Sequence, residues 1–339
     1  MNSLDPFMTT SAASTLAPSG SASALNPAPA PTLLRLAEEV DEGIRSRQYR
    51  AARRGDLMRL APGAFVPADE WSELGPDAQY RLVIEATLER VRDGEVLSHW
   101  SAAALWRLPI IGAWPARVHV TAPVDAARRS TTVLRRHRRQ LADVPAAFLG
   151  TPVTSLAETV IDMARVAPFA TAVAMGDAAL HSHEHPGSTP HHRGVSRYDL
   201  ERVLTASSER RGAARARRVL GFVDGRADRP GESLSRVTMH LLGVPTPVLQ
   251  HRVVGPPGKV YYLDFYWPEQ NIGADFDGRI KYTDPAFRGG RTADEVVYDE
   301  KLREDEVRLD LDGYGRWDWR VAGSSELLAE RLRRIGLRW

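Results

Sequence analysis

The 339-residue chain contains no cysteine. That absence excludes disulfide bridges, thiolate zinc sites and cysteine nucleophiles, and it fits a reducing compartment, so a cytoplasmic location is expected. Lysine is nearly missing too: Lys259, Lys281 and Lys301 are the three lysines among 45 basic residues. Positive charge is therefore arginine charge, suited to planar, bidentate recognition of phosphate and carboxylate. No stretch approaches the ~20 uninterrupted apolar residues of a membrane span, and no membrane partner is expected. Residues 1–31 are rich in Ser, Ala and Pro and almost uncharged. They lack the apolar mass for a core and the basic-then-apolar layout of a secretory signal, which predicts a disordered lead.

What remains has ordinary globular composition, 43% hydrophobic and 26% charged, with enough length for two or three cored domains of α/β class. The net charge of +2 hides arginine clusters. Leu33, Leu36, Ala37, Val40 and Ile44 recur at helical spacing, with Gly43 ending or bending that helix. Ser46 then reads as the N-cap of a second helix, Arg47 to Arg54, closed by Gly55, and Leu57 to Val66 reads as a hairpin turning at Pro62-Gly63. Helix, basic helix and hairpin over 32–70 form a winged-helix-like outline. Arg47, Gln48, Arg50, Arg53 and Arg54 are its candidate DNA-binding residues, since arginine can bridge guanine or phosphate and glutamine can read adenine. A solvated charged face is the competing reading.

Residues 71–180 read as an α/β middle domain. Ser98 to Leu105 is a capped helix start and Arg117 to Thr121 a strand, so His99 and His119 are expected to be structural. Arg135, Arg136, Arg138 and Arg139 form the densest basic patch, next to a strand-like Thr131 to Leu134. They are candidate phosphate contacts, with a charged edge strand as the alternative. Thr154 to Leu180 predicts two helices broken at Pro168. Residues 181–196 carry His181, His183, His185, His191 and His192, half of the ten histidines. The Pro/Gly/Ser/Thr context there predicts a mobile loop that binds metal only adventitiously. A basic linker helix is predicted over 197–229.

The segment Tyr261 to Tyr282, YYLDFYWPEQNIGADFDGRIKY, holds three carboxylates on one predicted hairpin. A four-residue turn at 268–271 sets Asp264 opposite Asp275, and Asp277 shares the face of Asp275. Like charges so placed repel, and a cation between them relieves it; hard oxygen ligands suit Mg²⁺ or Mn²⁺.

This segment is preceded by Glu232-Ser233-Leu234-Ser235-Arg236 and followed by Glu300-Lys301-Leu302-Arg303-Glu304-Asp305. Together they resemble the endonuclease-like domain related to very-short-patch-repair nucleases, within the PD-(D/E)xK superfamily. Its members read roughly ESxxR, VDFxWPE, VVEFDGxxKY and EKxRED in that order. The resemblance covers about 230–339. It implies a mixed β-sheet flanked by helices and a divalent metal held by Asp264 and Asp275, with Glu232 as a further ligand. Two departures are visible. Asp277 stands where the superfamily pattern has lysine, leaving Lys281 as the ammonium closest in sequence to the developing charge, and Asp275 replaces the commoner glutamate. Arg236 and Arg279 are expected to flank the DNA groove, and 283–298 reads as a lid or substrate loop. Residues 44–124, through GDLMRLAPGAFVP and VLSHWSAAALWRLPIIGAWPARVHVTAP, resemble the N-terminal half of AbiEi-type antitoxins, which implies operator DNA and a cognate toxin as partners. Two functions stand as expectations: a metal-dependent DNA endonuclease, or a non-catalytic antitoxin-like repressor that keeps a degenerate nuclease fold. An interaction scaffold is a third.

Overall fold

A computed structural model describes residues 31–36, 41–126, 129–189, 191–255, 258–277, 306, 308 and 310–339. Residues 1–30 of the predicted lead at 1–31 and the segment 278–305 lie outside them. Among the described residues three sheets and eleven helices give a mixed α/β architecture, the class the sequence predicts. Among the described residues no helix is long and apolar enough to cross a membrane.

The N-terminal unit runs β1 (Leu34–Arg35), α1 (Glu42–Arg54), β2 (Leu57–Ala61), β3 (Ala64–Pro67) and α2 (Ala68–Glu73), with sheet order β1-β3-β2. The hairpin turns at Pro62-Gly63 as predicted, with Gly63 at φ 76°, a conformation glycine adopts without steric cost. Gly55 ends α1 at φ 89°, its N–H donating to the carbonyls of Ala51 and Ala52. The expected pair of helices ahead of the hairpin is corrected. Leu34 and Arg35 form a strand against Phe65 and Ala64, and Leu33 packs on Ala61, Ala64 and Ala86. A single helix begins after Asp41, whose Oδ1 accepts from the Gly43 N–H at 2.8 Å. Ser46 is interior to it. The Leu33/Leu36 spacing fits a helix, but the chain here pairs as a two-residue edge strand that leaves both leucines half-buried on either side, and tertiary pairing overrides so short a periodic signal.

In the middle unit α3 (Pro76–Thr87), β4 (Val96–Leu97), α4 (His99–Leu105), β5 (Val118–Ala122), β6 (Leu134–Arg138), β7 (Ala146–Phe148) and β8 (Thr151–Val153) build a sheet ordered β6-β5-β4-β8-β7. Strand β6 lies at the edge, and it starts where the predicted strand at 131–134 ends, so Arg135, Arg136 and Arg138 sit on the strand itself and Arg139 just past its end. Four helices follow: α5 (Leu156–Val166), α6 (Phe169–Glu184), α7 (Arg197–Ala206) and α8 (Ala213–Leu220). Pro168 separates α5 from α6 as predicted, because proline cannot continue the hydrogen-bond ladder. Helix α6 runs through His181 and His183, which shortens the expected histidine loop. The predicted linker helix is two helices parted near Gly212 at φ 74°. Leu200, Val203, Ala216, Val219 and Leu220 join the α5–α6 core, so this span is packed rather than bridging.

The C-terminal unit comprises α9 (Pro230–Leu241), β9 (Val248–Gly255), β10 (Lys259–Trp267), β11 (Ile272–Phe276), β12 (Gly313–Trp317), α10 (Trp319–Ala322) and α11 (Ser325–Arg334). Its sheet is ordered β12-β11-β10-β9, antiparallel except for the parallel β11–β12 pair. Phe265, Trp267, Ile272 and Trp317 pack with Met239 of α9 and with Leu328 and Leu332 of α11. The two units are joined through α6 and α9. Arg236 Nη1 donates to Asp177 Oδ2 at 2.7 Å, and Ser233 Oγ donates to the same oxygen at 2.7 Å. Asp177 Oδ1 accepts from the Asp224 N–H at 2.7 Å. Arg236, expected at a DNA groove, is thus a half-buried tie between helices.

Candidate functional site

The turn Pro268–Gln270, with Asn271 at φ 48°, sets the register Trp267 to Ile272, Tyr266 to Gly273 and Phe265 to Ala274. Counting on brings Asp264 level with Asp275, as the turn length predicts. There side chains take over from the backbone ladder: the Asp264 N–H donates to Asp275 Oδ1 at 3.0 Å, and the Phe276 N–H donates to Asp264 Oδ2 at 2.7 Å. Charge-assisted bonds of this kind are stronger than neutral ones and hold both carboxylates in fixed orientations. Tyr314 of β12 donates its hydroxyl to Asp275 Oδ2 at 2.7 Å.

Helix α9 delivers Glu232. A Cβ on the preceding Gly231 would lie 2.0 Å from Phe276 Cζ, so only glycine lets the first turn of α9 seat against the end of β11. Glu232 Oε2 accepts from the Asp228 N–H at 3.1 Å and from Gln250 Nε2 at 3.3 Å; the same Gln250 nitrogen donates to Asp264 Oδ1 at 3.2 Å. Gln250 adopts φ 51° on β9, a left-handed conformation that costs a non-glycine residue ~1–2 kcal/mol. The strained residue is the one that joins two carboxylates.

The result is a cavity of about 300 Å³ whose walls include Glu232, Asp264, Asp275, Gln250, Arg229 and Arg316. Glu232 is 3% exposed. Burial, reinforced by the negative charge of Asp264, holds its carboxyl well above the usual range, so the site favours a proton or another positive charge there. Gln250, Tyr314 and Arg316 were not anticipated. Strands far apart in sequence supply them, and the signal was register: Arg316 lies beside Asp275 in the parallel β11–β12 pair.

The remaining predicted site residues are dispersed. Asp277 stands outside the cavity wall, with its Oδ2 at 3.5 Å from Arg316 Nη2. Arg279, Lys281 and the 283–298 segment fall outside the described residues. Among the described residues no group of three or more His, Asp or Glu side chains is placed to hold a metal ion. Glu232, Asp264 and Asp275 share one cavity, but Gln250 Nε2 stands between the first two. The donor chemistry still fits a hard divalent cation, since carboxylate oxygens are its ligand type.

The arginines of α1 divide. Arg47, Arg50 and Arg53 are exposed, while Arg54 pairs with Asp56 at 2.8 Å. Gln48 is half-buried with its Oε1 enclosed and without a hydrogen-bond partner among the described residues; it is not displayed for reading a base. In the middle patch Arg135 and Arg138 are exposed. Arg136 is buried against Glu95, Nε to Oε1 at 2.6 Å. Arg139 bonds Glu158 and reaches Asp162 at 2.6 and 2.7 Å. Those two arginines hold the middle unit together.

His99 stacks on His137 with ring centroids 3.6 Å apart, and His137 Nε2 lies 3.0 Å from His119 Nδ1. Burial pushes His119 and His137 down to about 3 and His99 well below its usual value. These rings are neutral structural groups at physiological pH.

No family model matches the chain, so the resemblances given above rest on their quoted motifs. Over 137 residues the chain is 32% identical to the uncharacterised proteins MT2308 and Rv2248 of two Mycobacterium tuberculosis strains, a match covering 40% of this chain and 47% of each relative. The chain therefore spans about half the length of the curated relatives it matches. Among solved structures, the RV2827C protein from Mycobacterium tuberculosis is 18% identical with a TM-score of 0.32, over 62% of this chain and 77% of that one, too distant a likeness to bear on fold or function.

Proposed function

We propose that the C-terminal unit is a divalent-metal-dependent, endonuclease-like module acting on DNA. The observation that carries this reading is that Glu232, Asp264 and Asp275 meet at one cavity where the β10–β11 ladder gives way to side-chain bonds. Asp264 and Asp275 would hold the cation, with Glu232 as a further oxygen donor. A bound Mg²⁺ or Mn²⁺ supplies an activated water and charge stabilisation at a phosphate. Arg229 and Arg316, on the same wall, attract the anionic backbone and orient it. Tyr314 fixes Asp275, and Gln250 keeps Glu232 and Asp264 apart until positive charge arrives. On α1, Arg47, Arg50 and Arg53 add phosphate contacts.

A second reading has specific support. Gln250 Nε2 already bridges Glu232 and Asp264, which is how a fold that has lost its cation would satisfy these acceptors without one. The chain would then be an antitoxin-like DNA-binding repressor. Incubating supercoiled plasmid with the full chain and Mn²⁺ separates the two: cleavage lost in Asp264→Asn supports the module, and absence of cleavage with intact DNA binding supports the repressor.

A further inference from the structure

A second cavity, of about 500 Å³, lies in the middle unit between β6, α5 and the start of α8. Its volume is that of a small-molecule site. Seven arginines and two carboxylates, Asp162 and Glu209, line it. Two of the arginines are already matched, Arg136 by Glu95 and Arg139 by Glu158 and Asp162. Arg165 is different. It is 6% exposed, and its Nε, Nη1 and Nη2 are all enclosed without a hydrogen-bond partner among the described residues. Five buried donors beside a cavity leave a large desolvation cost uncompensated unless an acceptor reaches them.

The adjoining backbone is shaped for the same guest. Gly212 is the N-cap of α8 at φ 74° and offers no side-chain acceptor to the first turn. A Cβ there would meet Arg165 Cβ and carbonyl oxygen at 2.9 Å, so glycine is needed to bring the helix start against Arg165. With the Ala213 N–H held by the Arg210 carbonyl and no side-chain cap on the rest of the turn, the positive end of the helix dipole favours an anion at such a place. Arg135 and Arg211, exposed at the rim, complete a positive entrance. Arg215 is anchored by its Nη2 to the Ala167 carbonyl at 2.7 Å.

We propose that this cavity binds a phosphate-bearing anion of nucleotide size, with the Arg165 guanidinium as its central partner and the α8 N-terminus beside it. Flat carboxylates suit a single fork, whereas a phosphate group has enough acceptor oxygens for Arg165, rim arginines and backbone N–H groups together. Two sources carry that chemistry: a free nucleotide, or the phosphorylated end of a DNA strand.

Calorimetry on the full chain tests it, with pyrophosphate, a nucleoside 5′-diphosphate, and a short single strand bearing either a 5′-phosphate or a 5′-hydroxyl. One-to-one binding is expected. It should weaken tenfold or more in Arg165→Met and severalfold in Arg211→Gln, whose exposed side chain makes the fold insensitive to its loss. Tightest binding of the diphosphate assigns the free nucleotide as the source, and a preference for the phosphorylated over the hydroxyl strand assigns the DNA end. Absence of binding to every probe, or binding unchanged in Arg211→Gln and in folded Arg165→Met, overturns the proposal.

Discussion

Two buried charge clusters in this protein use the same residue types to opposite effect. In the middle unit Arg139 sits between Glu158 and Asp162, so each helix carboxylate meets a guanidinium directly. In the C-terminal unit Glu232 has no ion pair within 4.0 Å among the described residues and accepts only from an amide and a backbone N–H. A cluster with internally matched charge reads as a fastener. One whose acid is crowded by another acid asks for something from outside.

The largest effect that tests this contrast should come from the fastener. Arg139→Ala leaves two carboxylates buried without their cation, and breaking such a pair costs about 3–5 kcal/mol. Urea unfolding should show a midpoint shift of that size with an unchanged slope. A shift under about 1 kcal/mol, the range of exposed pairs, would mean that water already screens the cluster.

Next is the glycine that seats α9. Gly231→Ala drives a methyl into the Phe276 ring, and overpacking of this kind costs about 1–3 kcal/mol. Because α9 carries Glu232, the same variant should also lose any metal response. Retention of both stability and metal response would show that α9 can slide without disturbing the site.

How much of this was legible beforehand follows from sequence distance. The β10–β11 turn fixed the level of Asp264 and Asp275, and Pro62-Gly63, Gly55 and Pro168 acted where local chemistry said they would. Arg136 and Arg139 were misread as surface charge because Glu95, Glu158 and Asp162, their partners, come from elements roughly 20 to 40 residues away. Gln250 was invisible for the same reason: its role depends on a left-handed kink on another strand. The leading helix failed at Leu34-Arg35, where a short strand with Phe65 satisfies the same leucine spacing.

The α1 arginines belong to the exposed class, and their effect is correspondingly smaller. Replacing Arg50 and Arg53 with Gln should weaken duplex binding uniformly across sequences and lower the slope of log affinity against log salt by about one unit each. An unchanged slope in fluorescence anisotropy returns α1 to a solvated face.

The smallest effect is expected from Glu232→Gln, an isosteric change that keeps an oxygen to accept from the Asp228 N–H and from Gln250 Nε2. The folded pKa of the wild-type acid is raised by burial and by Asp264. Its contribution is therefore fully present below its unfolded value of ~4.3 and is lost as pH rises through the folded one. Gln carries no such loss, so the Tm of the variant minus that of the wild type should increase from pH 4 to pH 8. A difference independent of pH contradicts the account of Glu232.

The most direct test of the claim that this cavity takes a divalent cation is Mn²⁺ calorimetry on the full chain at pH 7.5, comparing wild type with Asp264→Asn. The account predicts one saturable site in the wild type and no such site in the variant. Identical titrations for the two proteins, or no uptake by either, would contradict it and leave the Gln250-bridged carboxylates as a closed, structural arrangement.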